Sequence, residues 1–368
     1  MAKLTLSDLE HVYPNGHRGL IDINLQIQPG EFITLVGPSG SGKTTLLRTL
    51  AGFFQPSAGS INIGDTLVAG DKTWVSPERR DLGMVFQEHA VWPHMTVFQN
   101  VSYPLKRKRF AAADIAQHVT AVLEDVGMAE HMKKKPTALS GGQRQRVALA
   151  RAMVAQPQAL LLDEALSALD EPLRARLRQQ LRRLTMEEGL TTVHVTHDRS
   201  EALALADRVI VLNRGRIVQD ASPAEILTKP ANSFVAAFMS DAAVLQGSWT
   251  NGTFYPDDKG LYIQPDALAS QPQREITGVR CVATVAPEDI RLETIGAHQP
   301  ADTTVGTVTS VLAVRFGTEL TVTWSGGEFE VYAPVGAMIP KISDRVAVHF
   351  DRVHVFQDSA MTTHAVHA

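Results

Sequence analysis

Over roughly the first 240 residues, hydrophobic positions come in two alternating textures. Short, nearly unbroken apolar runs, EFITLVG (31–37), PQALLLDEA (157–165), TTVHVTH (191–197) and RVIVLN (208–213), read as strands buried on both faces. Between them KTTLLRTLAGF, QRVALARAM and LRARLRQQLRRLTMEE repeat apolar residues at helical spacing. Strand and helix signals that alternate in this way predict an α/β core. From about residue 245 the texture changes: the turn signals NG, DDKG, SGG and VG recur, and apolar residues alternate with period two. Leu320, Val322 and Trp324 share one strand face, and Val346, Val348 and Phe350 share another. The pattern predicts a small all-β domain, an OB-like barrel or a sandwich. KPANSFVAAFMSDAA (229–243) reads as a connecting helix, so the expected domains are 1–240 and 241–368.

Composition adds exclusions. The chain has 368 residues, 44% apolar and 20% charged, with a net charge of −4, as a two-domain globular protein should. No basic excess points to nucleic acid, and the clusters KRKR (106–109) and KKK (133–135) are short enough to be solvated faces. The one cysteine, Cys281, excludes an intrachain disulfide, fits a reducing compartment, and reads as a buried thiol inside VRCVATV. MAKLTLSDLE is charged and mixed, unlike a secretory leader. No apolar run approaches the roughly eighteen residues of a membrane helix. Work at a membrane would need a partner to supply the span.

The chemistry begins at GPSGSGKTT, that is Gly37, Pro38, Ser39, Gly40, Ser41, Gly42, Lys43, Thr44 and Thr45. This fits G-x-x-x-x-G-K-[ST] in full, with a strand before it and a helix after it. Glycines let backbone N–H groups turn inward around a polyphosphate, which the helix dipole also favours. Lys43 would pair with the β- and γ-phosphates, and the Thr44 hydroxyl would ligate Mg²⁺. Asp163 ends an apolar strand, where a carboxylate can hold Mg²⁺. Glu164 would point the other way if the strand continued, toward an attacking water. The same pair could simply open the next loop. His197, at the end of another apolar run, is either a γ-phosphate sensor or an ordinary strand-end histidine. His194, inside that run, reads as structural.

LSGGQRQR (139–146) places Ser140, Gly141 and Gly142 at a second glycine-rich helix start. One reading is a serine-capped helix with no partner. The other is an anion site for a second phosphate face, met across a two-fold axis by another molecule's P-loop.

Taken in order, GPSGSGKTT, VFQEHAVWPH, LSGGQRQR, LLLDEALSALD and VTHD resemble the ATP-binding subunits of ABC transporters over roughly residues 1–240. The resemblance implies a P-loop ATPase fold that binds ATP and Mg²⁺. Gly37–Thr45 would be its Walker A loop and Asp163 with Glu164 its Walker B pair. It makes Gln87 the Q-loop residue linking Mg²⁺ and the nucleophilic water to the membrane subunit, and Ser140, Gly141 and Gly142 the γ-phosphate contact in trans. Asp170 becomes the D-loop residue, His197 the switch histidine and Tyr13 the adenine-stacking aromatic. The family usually has proline after the catalytic glutamate, whereas this chain has Ala165, which loosens the loop. VAPEDIRLE (285–293) and its surroundings resemble the C-terminal domain of maltose- and iron-type importer ATPases, where it dimerises and regulates.

The implied protein powers solute import (iron, phosphonate, polyamine or sugar). It would work as a homodimer beneath two membrane-spanning permease subunits, served indirectly by an extracytoplasmic solute-binding protein. It would be peripheral on the cytoplasmic face of the cell membrane and would bind no nucleic acid. Trp92, Pro93 and Met95 would form an exposed apolar anchor for the membrane subunit. The rival readings are a soluble ABC-type ATPase switch and an unrelated P-loop NTPase.

Overall fold

The computed structural model describes residues 2–88, 90–166, 171–258, 260–270, 278–295 and 303–357. Two compact units are present, Met1–Pro223 and Ala224–Ala368.

In the first unit, β1 (Leu4–Val12), β2 (Arg18–Ile27), β4 (Ala58–Ile63), β5 (Thr66–Gly70) and β6 (Thr73–Trp74) form an antiparallel sheet ordered β2-β1-β4-β5-β6. The second sheet contains β3 (Phe32–Val36), β7 (Leu82–Val85), β8 (Ala159–Asp163), β9 (Thr191–Val195), β10 (Arg208–Asn213) and β11 (Arg216–Ala221). Its order is β11-β10-β3-β9-β8-β7, parallel from β10 to β7, with β11 antiparallel at the edge. Six helices accompany the sheets: α1 (Lys43–Ala51), α2 (Val97–Arg107), α3 (Ala112–Asp125), α4 (Gly141–Met153), α5 (Glu171–Glu188) and α6 (Arg199–Leu205).

The unbroken apolar runs follow from the layering. Every residue of β3, β8 and β9 is buried, because each face of the parallel sheet meets a separate core. Phe32, Leu160 and Leu162 face a core shared with α2, α3 and α4. Ile33, Leu35, Leu161, Val193 and Val195 face the core shared with α1 and the antiparallel sheet. Because the strands are parallel and in register, their C-terminal ends share one edge: Leu35 pairs with Val195, Asp163 with Val195, and Val85 with Leu162. Ligands of open α/β sheets bind at such an edge.

In the second unit, α7 (Pro223–Thr228), whose first residue belongs to the first unit, and α8 (Ser233–Ser240) lead into an all-β body. One sheet, β13-β12-β15-β21-β14, uses β12 (Ala243–Thr250), β13 (Thr253–Pro256), β14 (Leu268–Ser270), β15 (Val279–Val285) and β21 (Val353–Gln357). The other, β16-β20-β17-β18-β19, is wholly antiparallel. Its strands are β16 (Ile290–Thr294), β17 (Thr304–Val314), β18 (Gly317–Trp324), β19 (Gly327–Pro334) and β20 (Arg345–Phe350). The two sheets enclose one core containing Trp249, Val322, Phe329, Val346 and Phe350. Cys281 is buried in it, as expected from its apolar run. The helix read as a connector, α8, lies inside this unit and buries Val235, Ala236 and Met239.

Arg80 ties α1 to the antiparallel sheet of the first unit. Its guanidinium is buried and donates to the carbonyls of Thr49 (3.0 Å), Leu50 (2.7 Å) and Val75 (2.9 Å). Burial pushes its pKa down to about 10. The charge sits at the C-terminal end of α1, where the helix dipole favours a cation. Arg80→Met should leave those carbonyls without their donor and cost about 2–4 kcal/mol. The denaturation midpoint of the full chain is the measurement.

Candidate functional site

Gly37 follows the last residue of β3, and α1 begins at Lys43, so Gly37–Gly42 turn directly from strand to helix. Gly37, Gly40 and Gly42 have φ of +152°, +76° and +104°, a region that L side chains rarely adopt. A Cβ on Gly37 would lie 2.2 Å from the Leu212 carbonyl oxygen, and one on Gly42 2.7 Å from that of Gly19. The Lys43 ammonium, itself buried, donates to the carbonyls of Gly37 (2.7 Å) and Pro38 (2.9 Å). Burial lowers its pKa, while the negative charges of Glu164 and Asp163 oppose that shift.

A cavity of about 300 Å³ opens over this loop, lined by Tyr13, His17, Gly19 and residues 40–45. The Tyr13 hydroxyl lies 2.7 Å from Thr45 Oγ1, and its ring edge fills the space a side chain on Gly19 would need. His17 is nearly parallel to Tyr13, with ring centroids 6.0 Å apart. The sequence reading missed His17 and Gly19. Their only signal was position, in the strand-turn segment that carries Tyr13.

Asp163 ends β8 almost wholly buried, and the Thr44 hydroxyl donates to its Oδ1 at 3.4 Å. Arg48, also missed, reaches its Oδ2 at 3.8 Å from one turn along α1. Burial raises the pKa of Asp163, while Arg48 and Thr44 pull it down. The strand conformation does not continue into Glu164, which corrects the expectation that it would simply point the opposite way. Glu164 takes a left-handed φ of +50°, although its N–H still bonds the Val195 carbonyl at 3.0 Å. A proline at 165 would disfavour α-type backbone in the residue before it, and Ala165 lifts that restriction. The Glu164 carboxylate accepts from Gln87 Nε2 at 2.7 Å and lies 3.7 Å from His197 Nδ1.

The ends of β3, β7, β8 and β9 therefore bring together Lys43, Thr44, Gln87, Asp163, Glu164 and His197. Tyr13 joins through Thr45. Asp170 lies outside the described residues. Ser140 caps α4 in a complete capping box: its side chain accepts the Gln143 N–H, and Gln143 Oε1 accepts the Ser140 N–H at 2.9 Å. Gly141 starts the helix, and a Cβ there would have nothing nearer than Arg144 Nη2 at 3.9 Å. The expected exposed anchor is corrected in part. Trp92 and Met95 are half-buried, Trp92 because Arg151 stacks on its ring (4.6 Å) and Tyr103 packs beside it (4.7 Å). Pro93 remains exposed.

A lysine-bearing glycine loop at a helix start, with a buried strand-end carboxylate beside its threonine, defines a P-loop ATPase. The family model described as ABC transporter matches residues 20–167. The spermidine/putrescine import ATP-binding protein PotA of Thermobifida fusca is 45% identical over 294 residues, 78% of this chain and 75% of that protein. The trehalose/maltose import ATP-binding protein MalK of Thermococcus litoralis is 44% identical, over 73% of this chain and 74% of that one. The sn-glycerol-3-phosphate import ATP-binding protein UgpC of Rhizobium meliloti is 42% identical, over 79% of each. Among solved structures, a dimeric post-hydrolysis state of the ATP-binding cassette MJ0796 bound to ADP and Pi aligns with a TM-score of 0.55. It is 32% identical and covers 60% of this chain and 98% of that one. The chain belongs to the ABC transporter family, as an ATP-binding subunit that hydrolyses ATP. No helix among the described residues is long and apolar enough to cross a membrane.

The two glycine-rich helix starts predict opposite responses to one added methyl. Gly37→Ala should destabilise the chain by about 1–3 kcal/mol through overpacking. Gly141→Ala should leave thermal stability unchanged or slightly raised, by under about 1 kcal/mol. Thermal midpoints of the two purified variants give the comparison.

Proposed function

We propose that the chain drives solute import as a homodimer, with each of two ATP molecules held between Gly37–Thr45 of one subunit and Ser140–Gly142 of the other. The observation that carries this reading is Gly141. Glycine at a helical position costs roughly 0.5–1 kcal/mol relative to alanine. Yet neither the backbone of Gly141 nor its surroundings within the chain require it, since a Cβ would meet only Arg144 Nη2, at an ordinary contact distance of 3.9 Å. A bare helix start suits the close approach of a phosphate from outside the chain. The capping box explains Ser140 by itself and leaves the glycine unexplained. The dimeric cassette bound to ADP and Pi, 32% identical, supports a nucleotide-bound dimer.

In this reading the Lys43 charge neutralises the β- and γ-phosphates, Tyr13 stacks on adenine, and His197 contacts the γ-phosphate. Glu164 orients and deprotonates the attacking water, with Gln87 holding its carboxylate. Asp170 serves as the D-loop contact across the dimer. The Thr44 hydroxyl, the Asp163 carboxylate and the Gln87 amide oxygen form the hard-oxygen set that Mg²⁺ prefers, and the 3.4 Å approach of Thr44 to Asp163 fits it. Bound there, Mg²⁺ would neutralise charge on the transferred phosphoryl group. Residues 1–240 act as the ATP-binding domain and 241–368 as a dimerisation and regulatory domain. The dimer works on the cytoplasmic face of the membrane beneath two permease subunits, served by an extracytoplasmic solute-binding protein. Relatives named for polyamine, sugar and glycerol-phosphate import lie within 42–45% identity. That spread supports an ATPase common to several cargoes, with choice of solute made by the membrane and binding-protein subunits.

Lys43→Ala should abolish hydrolysis, seen as loss of phosphate release. Glu164→Gln should bind ATP, close the dimer and leave the nucleotide uncleaved. With labels near Ser39 of one subunit and Ser140 of the other, Mg-free ATP should shorten their distance in this variant, and ADP should not. A distance indifferent to nucleotide would sink the sandwich while leaving the P-loop assignment intact.

A further inference from the structure

His197 is 66% exposed at its side chain, and its ring approaches Glu164 only to 3.7 Å. Its neighbours in the chain are held far more tightly. Thr196, buried, donates its hydroxyl to Glu201 Oε2 at 2.6 Å and accepts the Asp198 N–H at 3.0 Å. Asp198 in turn accepts the Glu201 N–H at 3.0 Å, which caps α6. The Thr196 hydroxyl thus links the Glu201 carboxylate to the Asp198 N–H, bracketing the exposed His197.

We infer that Glu201 is a positioning residue for His197, acting through the Thr196 hydroxyl, which also accepts the Asp198 N–H, to aim the imidazole at the γ-phosphate. The inference rests on the role proposed above for His197.

The surroundings of Glu201 are costly for mere packing. Glu201 is 3% exposed, and His194 Nε2, in a residue with no exposure, stands 3.2 Å from its Oε2. Burial alone would raise the pKa of Glu201, but His194 and Thr196 together hold it below the ordinary carboxylate value. It therefore stays an ionised acceptor for the Thr196 hydroxyl. Thr34 pairs with His194 across β3 and β9, so the two share a sheet face. Thr34 Oγ1, both ring nitrogens of His194 and Glu201 Oε1 are buried without a well-aligned hydrogen-bond partner among the described residues. A buried polar pair of this kind is commonly no more stabilising than apolar residues of equal volume. What this one supplies is a fixed position for the loop that carries His197.

The test uses the full chain and steady-state hydrolysis. Glu201→Ala should lower kcat about tenfold or more, with KM for ATP changed less than about twofold. Thr196→Val should act in the same direction, and Thr196→Ser, which keeps the hydroxyl, should restore the rate. Added to His197→Ala, Glu201→Ala should produce no further loss, because it acts only through that histidine. An equal loss on both backgrounds overturns the inference, as does a folded Glu201→Ala with undiminished kcat. If Glu201→Ala fails to fold, Thr196→Val against Thr196→Ser decides: equal rates overturn the inference. Wild-type turnover in His197→Ala removes the role of His197 itself and this inference with it. Loss in His197→Ala beside full activity in Glu201→Ala removes the inference alone.

Discussion

Lys43 bonded to the carbonyls of Gly37 and Pro38 is the contact on which the site is organised. It folds the loop onto its own cation, and it can do so only because Gly37 and Gly42 lack side chains where backbone oxygens approach within 3 Å of a Cβ position. Since Lys43 is also the first residue of α1, the ammonium and the positive end of the helix dipole converge on one point. Thr44 and Thr45, next in the helix, then reach Asp163 and Tyr13 without further adjustment. Cation, helix start, carboxylate and aromatic are thus placed by a single strand-to-helix turn.

The sequence was most readable where structure obliges chemistry to sit at a boundary. Buried strands such as Ala159–Asp163 leave no tolerance for polar residues in their interior, so a carboxylate following three leucines marks the strand end. Parallel register then gathers those ends, which is why Asp163, His197 and the P-loop could be grouped with no knowledge of the sheet order, whereas Gln87 was placed there only by the family resemblance. The antiparallel sheet of β1, β2, β4, β5 and β6 was not foreseen as a separate layer. Register shifts after Leu6 and a left-handed Asp8 interrupt the period-two pattern of β1, and β6 is only two residues long. Arg48 and His17 were invisible for another reason: an arginine on a helix face and a histidine in a turn are ordinary surface residues until the neighbour is known. Trp92 was misjudged because its cover, Arg151, comes from α4, far along the chain.

Glu164, the proposed base, is held in an uncommon backbone conformation by its neighbours. Left-handed backbone costs a non-glycine residue about 1–2 kcal/mol. Here the N–H bond to Val195 and the side-chain bond from Gln87 hold it there. A proline at the next position would disfavour that backbone, whereas Ala165, itself buried, permits it. The carboxylate therefore owes its direction to partners on β9 and after β7 rather than to its own strand, and the loops after those strands share control of the proposed base.

That distribution of control explains why Gln87 and His197 matter together. Gln87 follows β7 and is exposed, His197 follows β9 and is exposed, and each reaches the same Glu164 oxygen, Oε2. A shift in either loop would redirect the carboxylate without breaking the bonds of the P-loop, which run within residues 37–45 and to Tyr13, Asp163 and Gly215. Binding and cleavage of nucleotide are consequently separable in this fold. The Lys43 bonds that shape the P-loop do not involve Gln87 or His197, while the proposed base depends on the two loops that carry them on either side of β8. A transporter needs that separation, because ATP must be held while other subunits determine when it is cleaved.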